Sequence, residues 1–472
     1  MLKRYILLIL LSKLVVAVPT ILEVKTKSIT VNDKQVSVYT IEQPNGTWGY
    51  YGRANTDFDV IVKNKLKEPT VIHWHGLLLP NNQDGTELTQ KLIAPGGEYH
   101  YKFKLKQSGT YWMHSHYGLQ EQKFAEAPLI IDDGKYPQQA VILFQDFSFK
   151  DPQQIMRELK SGSGGHDMAH GNMGGSKHDM SKMDMSKMDM SKMDMSKMQM
   201  DLNDIKYDAF LTNYRALNNS QVITVKPGKV RLRFINGAAS TNFWVNLGKL
   251  QGTLIAADGE YVKPLMGKQF QIGMGQRLDI IVDIPKTGGS YYILGQVEGL
   301  KDQTGVLLTT SSREVKSKTS LVTEKIAKAL NYDQERKLVS QNNLPAHKID
   351  QVIKLELDGD MKSYVWTINK QAWPKVVPIT VKQNERIALD IKNNSPMSHP
   401  IHLHGSIFKV VAIDGKPIKG VLRDTVMVMP NSQLRIVFDV TETGRWMLHC
   451  HMLYHMHAGM MTYLDVLPLS AK

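Results

Sequence analysis

One eight-residue block constrains this chain more than any other feature. Gly109-Thr110-Tyr111-Trp112-Met113-His114-Ser115-His116 lines up with Gly444-Arg445-Trp446-Met447-Leu448-His449-Cys450-His451. An eroded copy between them reads Gly289-Ser290-Tyr291-Tyr292-Ile293-Leu294-Gly295-Gln296. A second block, His73-Trp74-His75-Gly76, recurs as His402-Leu403-His404-Gly405. Recurrence of this kind means copies of one folding unit. The unit is made of strands. Phe58, Val60 and Val62 alternate with polar neighbours, as do Tyr99, Tyr101 and Phe103, Val230, Leu232 and Phe234, and Ile387, Leu389 and Ile391. Turn formers such as Pro95-Gly96-Gly97 and Pro227-Gly228 separate the runs. Short alternating strands at this spacing predict an all-β chain of three β-sandwiches.

The expected organisation is an export signal over 1–18, a first domain over 19–138, a second over 139–310, a linker over 311–346 and a third domain over 347–472. The signal has a basic start at Lys3 and Arg4, an apolar stretch over 5–18 and a small-residue cleavage site at Val15-x-Ala17. It is too short to span a bilayer comfortably, and Lys13 interrupts it. No Arg-Arg pair is present, so general secretory export to a periplasm is expected rather than twin-arginine export, and no later segment is apolar enough to be transmembrane. The net charge of +13 is spread along the chain without a nucleic-acid motif, so no nucleic-acid partner is expected.

Residues 161–200 interrupt the second domain. They open Gly- and Ser-rich, then repeat Ser-Lys-Met-Asp-Met from Ser181, Ser186 and Ser191, and hold eleven of the chain's 25 methionines. A five-residue period gathers methionine on neither a helix face nor a strand face. The segment is expected to be a disordered, Met-rich insertion. Its thioethers, among them Met183, Met185, Met188 and Met190, are soft ligands of the kind that select Cu(I).

The histidines carry the chemistry. Sixteen in 472 residues would give about half a His-x-His pair by chance, and the chain has five. On a strand both members of such a pair face the same way. His73/His75, His114/His116, His402/His404 and His449/His451 supply eight imidazoles, enough to hold three copper ions between the first and last domains. The only cysteine, Cys450, faces the opposite side of its strand. With His399 and His455 it makes a trigonal His-Cys-His set, with Met460 as a weak axial ligand, as in an electron-transfer copper site. One peptide then joins the two centres as a covalent wire. Zinc is the rival for any histidine cluster, but it seldom needs eight histidines and has no use for the wire.

These motifs resemble those of the three-domain multicopper oxidases, and most of all the bacterial copper-resistance oxidases. The resemblance covers nearly all of the chain after the signal. It implies three cupredoxin-like Greek-key sandwiches and four copper ions. His399, Cys450, His455 and Met460 would bind type 1 copper, and His73 and His402 type 2. His75, His114, His116, His404, His449 and His451 would hold the type 3 pair. Asp84 matches a carboxylate that helps deliver protons in similar enzymes, and it also reads as a turn former in Gln83-Asp84-Gly85. Two features depart from the pattern: Met456 stands where several relatives carry a relay glutamate, and the twin-arginine signal is missing. The activity implied is oxidation of Cu(I) coupled to reduction of dioxygen to water, with copper-delivering proteins as partners. Asp360, Met361 and Met397 are candidate docking residues for Cu(I). The alternatives are a laccase-like oxidase of phenols and, from another class, a copper-storage protein. Storage has no use for a thiolate wire.

Overall fold

The computed structural model describes residues 18–162, 202–311 and 319–469. The expected export signal, apart from Val18, and nearly all of the Met-rich insertion, including Met183, Met185, Met188 and Met190, lie outside the described residues.

The described strands form three cupredoxin-like sandwiches, each of two sheets, with the same connectivity three times. In each, the first strand pairs in parallel with a later one across the sheet: Thr20–Val31 with Asp57–Asn64, Gln139–Phe147 with Gly228–Asn236, and Gln351–Asp360 with Arg386–Asn393. In each second sheet a short strand joins the last strand in parallel: Tyr50–Arg53 with Glu126–Asp132, Val222–Thr224 with Gln303–Thr309, and Ile379–Lys382 with Met461–Leu467. The other named pairings are antiparallel. Parallel closure of otherwise antiparallel sheets needs crossovers between them, which is the Greek-key character of the fold.

The inward faces follow from the alternation. In the first sandwich Phe58 and Tyr101 from one sheet meet Trp74 from the other, with ring centroids 4.8 Å apart in both contacts. All three rings are 0% exposed. Edge-on aromatic packing of this kind adds to the gain from area burial.

Two connecting segments matter for the site. The helix Pro152–Lys160 starts with Asp151 accepting from the Gln153 N–H and with proline at its first turn, and it buries Ile155, Met156 and Leu159. At its end Gly162 lies against the Lys362 carbonyl of the third sandwich. Residues 319–346 are not a free spacer. They carry no α-helix, only the 3-10 turn Glu335–Lys337. They lie along the second sandwich through isolated bridges at Val322, Ala327 and Ser340, and they bury Leu330, Tyr332 and Leu338. Three apolar anchors hold what composition alone presents as a linker. Among the described residues no helix is long and apolar enough to cross a membrane.

Candidate metal centre

The repeated blocks form neighbouring strands. Ile72–His75 pairs with Gly109–Ser115 so that His73 stands opposite His114, and His399–Leu403 pairs with Gly444–Cys450 so that His402 stands opposite His449. The two strand pairs face each other between the first and third sandwiches. All eight histidines of the four pairs are 7% exposed or less.

Four of them have their outer nitrogen occupied. His73 Nδ1 donates to the Asp84 carbonyl, His402 Nδ1 to the Asp424 carbonyl and His449 Nδ1 to the Cys450 carbonyl, each at 2.9 Å. His404 Nδ1 donates to Asp84 Oδ2, also at 2.9 Å. An imidazole that donates from Nδ1 and is neutral has a bare lone pair at Nε2. These lone pairs converge: His402 Nε2 is 3.4 Å from His73 Nε2, and His449 Nε2 is 3.0 Å from His404 Nε2 and 3.4 Å from His116 Nε2. Burial first, and then the neighbouring imidazoles, push His75, His114, His116, His402 and His404 well below the usual histidine range. Burial also brings His449 down to about 4. His75 Nδ1, His114 Nε2 and both nitrogens of His451 are buried without a hydrogen-bond partner among the described residues. Inward-facing neutral lone pairs without donors are costly unless cations sit among them. This donor set fits several borderline metal ions such as copper.

On the other face of the Gly444–Cys450 strand, Cys450 Sγ lies 3.6 Å from His399 Nδ1, which lies 3.2 Å from His455 Nδ1. Burial raises the thiol well above its usual range, so a cation is needed to bind it as thiolate. Ser395 Oγ, at 2.7 Å, holds the far nitrogen of His399. Trp366 stacks on His455 with centroids 3.8 Å apart. Met460 is buried, its carbonyl accepts from the Cys450 N–H and its N–H donates to the His455 carbonyl, so it closes the loop behind both residues. The groups His399, Cys450 and His455, and His116, His404 and His449, each have ligand atoms within 4.8 Å of one another.

Asp84 is the turn former that its sequence context suggests, and its carboxylate lies at the cluster. It ends the 3-10 turn Asn81–Gln83, and its carboxylate reaches His404 while Oδ1 lies 3.3 Å from His73 Nδ1. It therefore ties a histidine of the first sandwich to one of the third. Met397 is a correction to the docking set: at 1% exposure it is core, and only its backbone makes polar contacts. Met361 is partly buried against the core, and the exposed Asp360 carboxylate is engaged by Ser363. The three do not present one cluster to solvent.

Four residues that contact the histidines or their partners carry no motif. Asp424 touches His75 through Oδ1 at 3.2 Å. Glu121 lies 2.8 Å from His114 Nδ1 and 3.9 Å from His451 Nδ1, so a carboxyl group stands beside the cluster although residue 456 is methionine. Asp204, which follows the insertion closely, accepts from His455 Nε2 at 2.8 Å and from the Tyr364 hydroxyl, while its Oδ1 is buried without a partner among the described residues. Arg277 grips Asp424.

Three sequence profiles of the multicopper oxidase family match the chain, over residues 23–136, 141–314 and 347–470. The multicopper oxidase MmcO of Mycobacterium tuberculosis is 31% identical over 438 residues, which cover 91% of this chain and 83% of that one. Copper resistance protein A of Escherichia coli is 27% identical over 512 residues, covering 84% of each. Among solved structures, the laccase of Botrytis aclada superposes with a TM-score of 0.76 at 23% identity, covering 95% of this chain and 88% of the other. A metallo-oxidase from Campylobacter jejuni gives 0.67 at 19% identity, covering 95% and 91%. With three domain profiles in order over a histidine cluster built for metal, this chain belongs to the multicopper oxidases.

Proposed function

We propose that the chain oxidises Cu(I) to Cu(II) and passes the electrons to dioxygen: four Cu(I), four protons and one dioxygen give four Cu(II) and two water molecules. The observation that carries this reading is the His449-Cys450-His451 tripeptide, whose thiol faces one donor set while its imidazoles face the other. In this reading His399, Cys450, His455 and Met460 hold type 1 copper, His73 and His402 hold type 2, and His75, His114, His116, His404, His449 and His451 hold the type 3 pair. Bound there, copper supplies one-electron transfer and the reduction of dioxygen. The protein supplies the rest. Cys450 joins the donor sets through one peptide, shortened by the His449 Nδ1 to Cys450 carbonyl bond of 2.9 Å. Asp84 stands between His73 and His404, where a proton carrier is needed.

Electrons enter at His455. Its outer nitrogen meets Asp204, whose other oxygen has no partner among the described residues. A carboxylate there favours a small cation over a neutral phenol. Both flanks of the insertion end on this face, at Gly162 beside Lys362 and at Asp204 beside His455. Methionine repeats tethered there raise the local Cu(I) concentration. We place the enzyme in the periplasm, exported by the general secretory route.

Steady-state oxygen uptake tests the reading. Cu(I) should drive uptake in a ratio of four to one, and a simple phenol should drive it far more slowly. Equal or faster turnover of the phenol would overturn Cu(I) as substrate in favour of laccase-like activity. Copper binding without oxygen uptake would overturn both in favour of storage.

A further inference from the structure

The second sandwich has no histidine in its strands, yet it reaches the cluster through residues 273–277, the turn after the strand Gln269–Ile272 together with the first residue of the strand Arg277–Ile284. Gly275, at φ +76°, packs against two of the histidines: a Cβ there would lie 2.8 Å from His451 Cδ2 and 3.2 Å from His75 Cε1. Gln276 Nε2 donates to the Thr425 carbonyl at 3.1 Å. Arg277, 0% exposed, donates through Nη1 to Asp424 Oδ1 at 2.7 Å and through Nη2 to Asp424 Oδ2. Its Nε donates to the Thr110 carbonyl of the first sandwich at 3.2 Å. One guanidinium thus bonds to the first and third sandwiches from the second.

The same fork bears on a feature of His75. His73, His402, His404 and His449 turn Nδ1 outward and Nε2 inward. His75 is reversed. Its Nε2 is engaged by Thr425 Oγ1 at 3.0 Å and Asp424 Oδ1 at 3.2 Å, and its Nδ1 is the buried, unpartnered atom. Asp424 and Thr425 decide that reversal, and Thr425 Oγ1 is itself oriented by donating to Asp424 Oδ1 at 2.8 Å. A two-point hold from a guanidinium fixes the plane of a carboxylate. The space for it comes from Gly76, next to His75: at φ +88° a Cβ would meet Asp424 Oδ2 at 2.4 Å and Arg277 Nη2 at 2.6 Å.

We propose that the 273–277 turn makes the second sandwich a working part of the trinuclear centre. Arg277 is a positioning residue that, through Asp424, selects which nitrogen of His75 faces the metal, and Gly275 leaves room for the His75 and His451 rings. This rests on the ligand assignment proposed above.

The test uses the full copper-loaded chain with Arg277→Met, Arg277→Lys and Gly275→Ala. Arg231→Lys is the comparison. Arg231 is another buried arginine of the second sandwich, bonded to Asp279 and Asp133 away from the cluster. The readouts are copper per chain, the blue absorption of the Cys450 site, and electron paramagnetic resonance, which is silent for a coupled copper pair and reports a copper that has lost its neighbour. Arg277→Met should weaken one copper about 10- to 100-fold, reveal an uncoupled signal and leave the blue band unchanged. Arg277→Lys should restore the copper count but keep the uncoupled signal, because an ammonium cannot fork. Gly275→Ala should copy Arg277→Met, and Arg231→Lys should show none of these changes. If Arg277→Met does not fold, the lysine and alanine variants decide by the same readouts. A silent pair with full copper in all three variants overturns the proposal, and so does the same signature in Arg231→Lys, which would make it general loosening. An unmodified chain that holds no coupled pair overturns the ligand assignment itself and the proposal with it.

Discussion

The middle sandwich and its two neighbours share a fold but differ at the same few positions. Where His73 faces His114 and His402 faces His449, the equivalent pair in the second sandwich is Asn246 opposite Leu294. Where the first has Ser115 and the third Cys450, the second has Gly295, whose Cβ would lie 2.7 Å from the Phe144 ring. The strands are held by backbone pairing and by the inward apolar face, so the chemistry-bearing residues can come and go without changing the architecture. What the middle sandwich kept is its interface. Arg231, Arg233 and Arg277, all 1% exposed or less, are bonded to carboxylates or carbonyls across domain boundaries. Truncating one partner of such a buried pair is costly because it strands the other. The comparison therefore separates a copy that carries metal from a copy that orients the carriers.

The largest effect comes from making the third sandwich resemble the first. Cys450→Ser recreates the His-Ser-His sequence of 114–116. Turnover should fall below detection and the blue band should vanish, while the eight-histidine site keeps its copper by metal analysis and paramagnetic resonance. A blue, active serine variant would refute the type 1 assignment. Making the first sandwich resemble the second comes next. His114→Leu copies Leu294, and oxygen uptake should fall by more than about 100-fold while the blue band survives. If uptake is retained, the His114 side chain is not a ligand.

Acid should divide the sandwiches as well. In the metal-free chain His75, His114, His116, His402 and His404 are held well below 6.5, first by burial, and His449 is held at about 4. The unfolded chain takes up protons at these sites near the ordinary value. Stability is therefore fully present above about pH 6.5 and is lost as pH falls toward 4, at up to about 1.4 kcal/mol per pH unit for each such group. Hydrogen exchange on chelator-treated protein should show the first and third sandwiches opening before the second across that window, and copper should abolish the difference. Uniform opening would mean that the cluster is not the acid-sensitive element.

Much of this was legible in the sequence, for reasons that particular residues make plain. The three-sandwich fold follows from runs such as Phe58, Val60 and Val62 and from the repeated block, because strand period and repetition are local properties. The ligand pairs follow from His-x-His, because a spacing of two fixes a shared face. Asp424, Glu121, Asp204 and Arg277 were not legible. Each is a single residue with no spacing to mark it, brought to the site by a tertiary crossing. The stretch 319–346 looked like a spacer because its three buried anchors are diluted by polar neighbours, and Met397 looked available because sequence does not show which side of a loop is covered.

A smaller effect is expected at Asp84, the carboxylate that touches both histidine-bearing sandwiches. Asp84→Asn keeps one acceptor but not a charge that serves His73 and His404 together. Oxygen uptake should fall about 10- to 100-fold with the blue band unchanged. Unchanged uptake would leave Asp84 as a turn former only.

The smallest effect concerns what was added to the middle sandwich rather than lost from it. The residues proposed for both donor sets all lie among the described residues, outside the insertion. Its flanks nonetheless end at the third sandwich, with Gly162 against Lys362 and Asp204 on His455. Tethering soft ligands beside an entry point matters only while free Cu(I) is scarce, because effective concentration adds nothing once the site is saturated. Replacing residues 163–200 with a short Gly-Ser linker keeps both flanks. Copper content and blue colour should be unchanged, as should oxygen uptake at saturating Cu(I). At limiting Cu(I), uptake should fall several-fold, on the order of the local enrichment lost, and uptake with a phenol should stay the same or rise. Restoring the methionines alone, in a shuffled order, should recover the rate, because capture depends on thioether count and not on fold. Equal rates at limiting copper with and without the repeats would reduce the segment to an insertion that the surface tolerates, and would leave Asp204 as the sole feature that favours a cation at His455.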